Sequence, residues 1–276
     1  MIRRNITLEE DTRAWLLISQ VAHARVSGEI ARAWREAFSD VVIEAIAHHD
    51  DGWEKWEAAP QLDPARGRPL SFLEMPVAEA RRIWSDSIAT ARRIGPLAGA
   101  IVAGHFAGLS SGSDHATEPL AKEWDRATAQ ERAGWLAEWQ SSSPSHTLEL
   151  ADRAQQMLLT ADLLSLRLCC DGPISDDDDA DNSAVVVPNT EMESRTSTIL
   201  GKYHFAAESK MVGNAEIRWR GSLAPWPFAV PKLDLRAPAL VVPAAKYAGW
   251  AEIAAAGRPI QLGWQLRQTL PRESEC

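Results

Sequence analysis

Apolar residues return every three or four positions from Val21 onward in VAHARVSGEIARAWREAF, which predicts a helix over 21–38. The preceding RAWLLISQ, Arg13 to Gln20, reads as a short strand or extended lead-in. A second helix opens at SDVVIEAIAHHDD, with Ser39 or Asp40 as N-cap and Gly52 as a stop. The Pro- and Gly-rich stretch 59–76 reads as a loop of functional length. Helical spacing resumes over 77–94 and 96–110, then over 117–140 as one amphipathic helix or a pair, then over 145–170. After 171 the character changes. DGPISDDDDADNSA is a turn followed by an acidic run, the mark of a solvated linker, and it lacks the alternating spacing and closing Glu of a calcium loop. Strand-like alternation follows at 214–221, 232–244 and 259–268, separated by Pro-rich turns such as LAPWPFAVP. The pattern predicts a mainly α protein: a helical domain over 1–172, an acidic linker over 173–190, and a small β-rich C-terminal subdomain over 191–276 packed on the helical core.

The balance of charge narrows the function classes. A formal net charge of −9 and a sequence pI of about 5.3 argue against binding a nucleic-acid backbone. No apolar run approaches the length of a membrane span. The first residues turn acidic with no apolar core, so no signal peptide is expected. Cys169, Cys170 and Cys276 form no CxxC pair and read as reduced thiols, which predicts a cytoplasmic protein.

Five residues stand out because of the helical face they occupy. His49 shares the stripe of Val42 and Ile46, and Asp50 lies at the edge of the same stripe. His23 precedes Val26 and Ile30 by three and seven positions, and His105 follows Ile101 and Val102 by four and three. Asp162 lies four after Leu158, three after Leu159 and four before Leu166, on a Leu-rich face that must be covered. A buried carboxylate without a partner costs several kcal/mol, and no Lys or Arg lies one turn from Asp162 on its stripe. One cation held by His23, His49, Asp50 and Asp162 accounts for all four. The mixed nitrogen and oxygen set suits divalent Mn, Fe, Co, Ni or Zn better than Ca, as one ion or two. Read singly, an inward His is more often a satisfied core residue than a ligand, and an inward Asp more often a structural hydrogen-bonder at a helix crossing.

The order His23, then His49-Asp50, then Asp162 in TADLLSL resembles the HD-domain superfamily of metal-dependent phosphohydrolases. The segments HARVSGEIARAW, HHDDGWEKWEAAP, GRPLSFLEMP, HFAGL and PWPF resemble, more narrowly and over nearly the whole chain, an uncharacterised bacterial family, domain-of-unknown-function family 3891. The superfamily resemblance implies an HD-like helical core with a metal on those four residues. It also implies a possible second ion, for which His105 is the matching candidate and His115 a further one. Asp51 stands where many HD proteins carry an apolar residue; it can orient a ligand, bind a second metal, act as a base or cap the turn. The activity implied is hydrolysis of a small phosphorylated molecule or nucleotide. Arg25 and Arg92 would neutralise the substrate, and Trp53 and Trp56 would either wall the pocket or pack the core. Two other readings stay open: an HD-type di-iron oxygenase, and a module that binds a ligand or partner without catalysis.

Overall fold

The computed structural model describes residues 1–8, 12–112, 116, 118–170, 204–212 (as a strand path only) and 215–268. The acidic run and the linker expected over 173–190 lie outside the described residues. In chain order the elements are β1 (Ile2–Thr7), β2 (Arg13–Ile18), α1 (Gln20–Ala33), α2 (Asp40–Ala47), a single-turn helix at Asp51–Trp53 and α3 (Glu54–Glu57). A second single turn at Phe72–Glu74 precedes α4 (Val77–Ile94), α5 (Pro96–Ser111), α6 (Pro119–Ser141) and α7 (Leu148–Cys170). Further along the described residues come β3 (His204–Val212), β4 (Glu216–Ala224), β5 (Lys232–Pro243), α8 (Trp250–Ala256) and β6 (Arg258–Gln268).

The mainly α expectation is overturned. The six strands form one sheet in the order β1-β2-β5-β6-β4-β3, so the fold is mixed α and β, not a helical HD fold with a small extension. Both ends of the chain supply strands: β2 pairs antiparallel with β1 and with β5, and only β4 and β6 run parallel. Strand β2 falls within the stretch read as a short strand or extended lead-in; what the pattern does not announce is β1 and the pairing of both with the C-terminal strands in one sheet. In IRRNIT the inward positions include Arg4, which is 4% exposed with its guanidinium 5.8 Å from the Trp219 ring, so a charge interrupts the alternation that would announce a strand. Strand β2 is covered on both faces. Ala14, Leu16 and Ile18 join the main core with residues of α1, α2, α5 and α7, whereas Trp15 and Leu17 face a second cluster with Trp53, Trp56, Ile83, Val242 and Ile253. A strand buried on both faces loses its period-2 signature.

This sheet sets the start of α1. Strand β2 ends at Ile18, and Ser19 caps the helix, its hydroxyl accepting from the Ala22 N–H at 2.9 Å. The far end of α1 is tied to the 225–230 loop by the Arg35 N–H donating to the Pro227 carbonyl and the Ala229 N–H donating to the Ala33 carbonyl, both at 2.9 Å. Helix α1 therefore stops at Ala33, short of the periodic pattern, because its last residues leave to bridge Phe228.

Two glycines permit the close approaches that hold the turn after α2. A Cβ on Gly28 of α1 would lie 2.5 Å from the Ala47 Cβ, so α1 and the end of α2 touch backbone to backbone. Gly52 sits in the Asp51–Trp53 turn, where a Cβ would lie 2.1 Å from the Ile83 carbonyl oxygen and 2.5 Å from the Ser87 nitrogen. Its own N–H donates to the Ser87 hydroxyl at 3.0 Å. Gly52 therefore serves close packing on α4, and α2 ends earlier, at Ala47.

Gly28→Ala gives a clear test, because helix propensity alone would stabilise the protein by about 1 kcal/mol. The contact with Ala47 predicts the opposite sign, a loss of about 1–3 kcal/mol from overpacking, measured by denaturant unfolding.

Candidate metal centre

Four elements converge at one point. Helix α1 presents His23, the turn after α2 presents His49 and Asp50, α5 presents His105, and α7 presents Asp162. All five are buried, at 1%, 1%, 5%, 6% and 5% exposure respectively. His23 Nε2 lies 2.9 Å from Asp162 Oδ1 and 3.8 Å from Asp50 Oδ2. His49 Nε2 lies 3.4 Å from Asp162 Oδ1 and 3.5 Å from Asp50 Oδ2. His105 Nε2 faces the other oxygen of Asp162, Oδ2, at 3.9 Å. The rings of His23 and His49, and of His49 and His105, meet edge to face with centroids 5.5 and 5.3 Å apart. His23, His49 and Asp162 each offer a ligand atom within 4.8 Å of the others, close enough to hold one metal ion.

The outward nitrogens decide what the inward ones can be. His49 Nδ1 lies 2.7 Å from the Ile46 carbonyl oxygen, an acceptor, so Nδ1 carries the proton. In the neutral ring Nε2 is then a lone pair, and it points at two carboxylate oxygens. Lone pairs aimed at carboxylates repel unless a positive charge stands between them. A metal ion is one such charge and a second ring proton is another. Among the described residues neither Asp50 nor Asp162 is ion-paired with a Lys or Arg; their partners are the histidines. His23, His49 and Asp162 therefore fit a metal ion: two imidazole nitrogens and a carboxylate as donors, Asp50 beside them, and an outer hydrogen bond that fixes the His49 ring.

The titration behaviour follows from the same arrangement. Burial favours a neutral His49, yet the Asp50 charge and the hydrogen bond with Asp162 outweigh it and raise its pKa to about 9. Burial also opposes charge on Asp162, but hydrogen bonds with His23 and His49 hold its carboxyl well below the usual carboxylate range. Asp50 moves the other way: burial raises it, only partly offset by His49 and His23. His105 is pushed down to about 4 by burial and stays neutral near pH 7.

The remaining candidates sit elsewhere or are already engaged. Asp51 opens the turn before Trp53, with its carboxylate held by His48 Nδ1 at 2.7 Å and Arg25 Nη1 at 2.9 Å. Arg25 also donates to the Ala47 carbonyl, so it braces the end of α2. Trp53 and Trp56 are 3% and 5% exposed and pack edge to face in the second core. Arg92 pairs with Glu138 at 2.8 Å and lies 5.9 Å from the Trp135 ring, joining α4 to α6. His146 stacks on Trp139, with centroids 4.3 Å apart. His115 lies outside the described residues. Two site residues were not among the candidates. Ser27 and Ser165, both 0% exposed, form a hydroxyl pair behind His23. The signal for them was present: Ser27 is four after His23 and Ser165 three after Asp162, each on the buried face of its helix.

The chain belongs to the family described as "Protein of unknown function (DUF3891)", whose model matches residues 6–244. No curated protein and no solved structure matches it. Among the described residues no helix is long and apolar enough to cross a membrane.

The raised His49 pKa fixes two signs. A group whose folded pKa exceeds its unfolded value near 6.5 stabilises most below 6.5, and that contribution fades as pH rises through about 9. Metal-free protein is therefore expected to lose on the order of 3 kcal/mol between pH 6.5 and 9, a slope that His49→Ala removes in denaturant melts. A metal must displace the same proton. Between pH 7 and 8, about one proton should be released per ion bound, read by calorimetry in buffers of different ionisation enthalpy.

Proposed function

We propose that this member of a family without an assigned activity is a metal-dependent hydrolase of phosphate esters or anhydrides on small molecules or nucleotides. The observation that carries the reading is the convergence of His23, His49 and Asp162, with Asp50 beside them, in a buried group that could hold a metal ion. The order of these residues along the chain resembles that of HD-type phosphohydrolases, which supports phosphoryl chemistry over other uses of a metal. The acidic balance of the chain agrees with a small substrate and not with a nucleic-acid backbone.

His23, His49, Asp50 and Asp162 would hold a divalent transition ion. Such an ion supplies acidity to a water molecule and polarises a phosphoryl oxygen. The protein's part is to bring imidazole nitrogens and carboxylate oxygens to one point and to exclude bulk water. His105 is neutral, with Nε2 toward the outer oxygen of Asp162 and Nδ1 buried without a hydrogen-bond partner. It can serve in one of two ways: as a base that takes the proton of the attacking water, or by joining Asp162 Oδ2 in holding a second ion.

Purified protein loaded separately with Mn²⁺, Fe²⁺, Co²⁺, Ni²⁺ or Zn²⁺ should hydrolyse at least one of a panel of generic phosphoesters, nucleotides and cyclic dinucleotides. Asp162→Asn should lower that rate by about 100-fold or more, the scale of losing a charge-stabilising group. Equal inertness of wild type and Asp50→Ala across all metals and substrates would remove the hydrolase reading. Metal analysis and rate measurement of wild type against His105→Ala separate the two roles: a fall from two ions to one assigns the second site, and an unchanged ion count with slower hydrolysis assigns proton transfer.

A further inference from the structure

Behind His23, on the side away from the proposed ion, lies a closed set of hydroxyl contacts. Ser165 Oγ is 2.7 Å from His23 Nδ1, 2.7 Å from Ser27 Oγ and 2.8 Å from the main-chain carbonyl oxygen of Asp162. Ser27 Oγ is also 3.3 Å from the His23 carbonyl oxygen. Both serines are 0% exposed, so no solvent molecule competes for these positions.

The protons in this set can be assigned by counting. A hydroxyl has one proton to give and two lone pairs to accept with. The Asp162 carbonyl only accepts, so the 2.8 Å contact requires Ser165 to donate there. Both lone pairs of Ser165 Oγ are then free to accept, one from the Ser27 hydroxyl and one from His23 Nδ1, and the longest of the four contacts, Ser27 Oγ to the His23 carbonyl oxygen at 3.3 Å, is the one left without a proton. His23 Nδ1 must therefore carry its proton, which leaves Nε2 as the lone pair facing Asp162 and Asp50. The alternative, Ser165 donating to Nδ1, leaves two oxygens 2.8 Å apart with no proton between them.

We infer that Ser165 is a positioning residue that locks His23 in the tautomer whose Nε2 is available to a metal. This rests on the metal-centre reading above but makes a separate claim. Without the lock, the neutral ring has a better choice. Nε2 lies 2.9 Å from Asp162 Oδ1, already hydrogen-bond distance, so a proton on Nε2 would tie the histidine to the carboxylate and close the site to a cation. Ser165 prevents this by being an acceptor, with its own proton committed to the helix carbonyl. The pairing is reciprocal across the α1–α7 contact: His23 meets Asp162 and Ser27 meets Ser165, each pair set by one helical turn.

The experiment uses the full chain and two readouts. Two-bond ¹H–¹⁵N correlation spectra of metal-free protein should show His23 protonated on Nδ1 in wild type and on Nε2 in Ser165→Ala. Co²⁺ titration followed by visible absorption should show Ser165→Ala binding about 10–100-fold more weakly, the usual cost of losing an outer-shell partner. Ser27→Ala is the control. It removes an equally buried hydroxyl but leaves the His23–Ser165 bond, so the tautomer should stay on Nδ1 and Co²⁺ affinity near wild type. Ser165→Ala that binds Co²⁺ as tightly as wild type with His23 still protonated on Nδ1 overturns the assignment. So does an equal shift in Ser27→Ala, which would make the effect one of packing. Wild type that takes up no Co²⁺, Zn²⁺ or Mn²⁺ overturns the metal reading instead, and the tautomer spectra then still decide the role of Ser165.

Discussion

Two carboxylates, Asp50 and Asp162, are buried among three imidazoles with no basic side chain against them among the described residues. Removing a carboxylate from water costs several kcal/mol even after relaxation. The outer hydrogen bonds of His23 and His49 place the proton of each neutral ring on Nδ1, so neither inner nitrogen has a proton to offer the carboxylates unless its ring is charged. The rest of the structure can be understood as what is needed to hold this arrangement: four chain segments, distant in sequence, brought within a few ångströms and kept there against mutual repulsion.

Holding falls to the backbone more than to the site itself. The α1–α2 approach at Gly28 and the α2–α4 approach at Gly52 leave no room for the His49-Asp50 turn to drift. Arg25 bridges Asp51 and the Ala47 carbonyl, locking the same turn from outside. The sheet fixes where α1 begins and the 225–230 loop fixes where it ends, so His23 is placed from both sides. Such rigidity matters for a metal site, because ligands must be held close to their productive geometry before the ion arrives.

The site was more legible in the sequence than the fold. Asp162 on a Leu-rich face, and His49 on the stripe of Val42 and Ile46, are local facts: helical period alone puts them inward, and charge burial then asks for a partner. Helices α4 and α5 were legible for the same reason, their ends marked by Pro76, Gly95 and Pro96. The sheet was not, because its pairing is non-local. Nothing in RAWLLI, readable as a short strand, says that it will pair with KLDLRAPALVVP more than two hundred residues later, and the charge of Arg4 hides the strand in IRRNIT. The Trp53 and Trp56 rings illustrate the same gap: position beside the His-Asp pair was readable, but which side of the sheet they cover was not. Ser27 and Ser165 were overlooked for a different reason, since a serine on an apolar face costs little and draws no notice until its partner is seen.

The central claim is that a cation, not merely a proton, stands between these side chains. Anomalous diffraction at the absorption edge of the bound metal tests it most directly. A bound ion should give a peak at about 2.0–2.2 Å from His23 Nε2, His49 Nε2 and an Asp162 oxygen, with Asp50 completing or closely flanking the set. A well-ordered crystal of metal-supplemented protein with no such peak, and with His49 bonded directly to both carboxylates as a charged imidazolium, would contradict it.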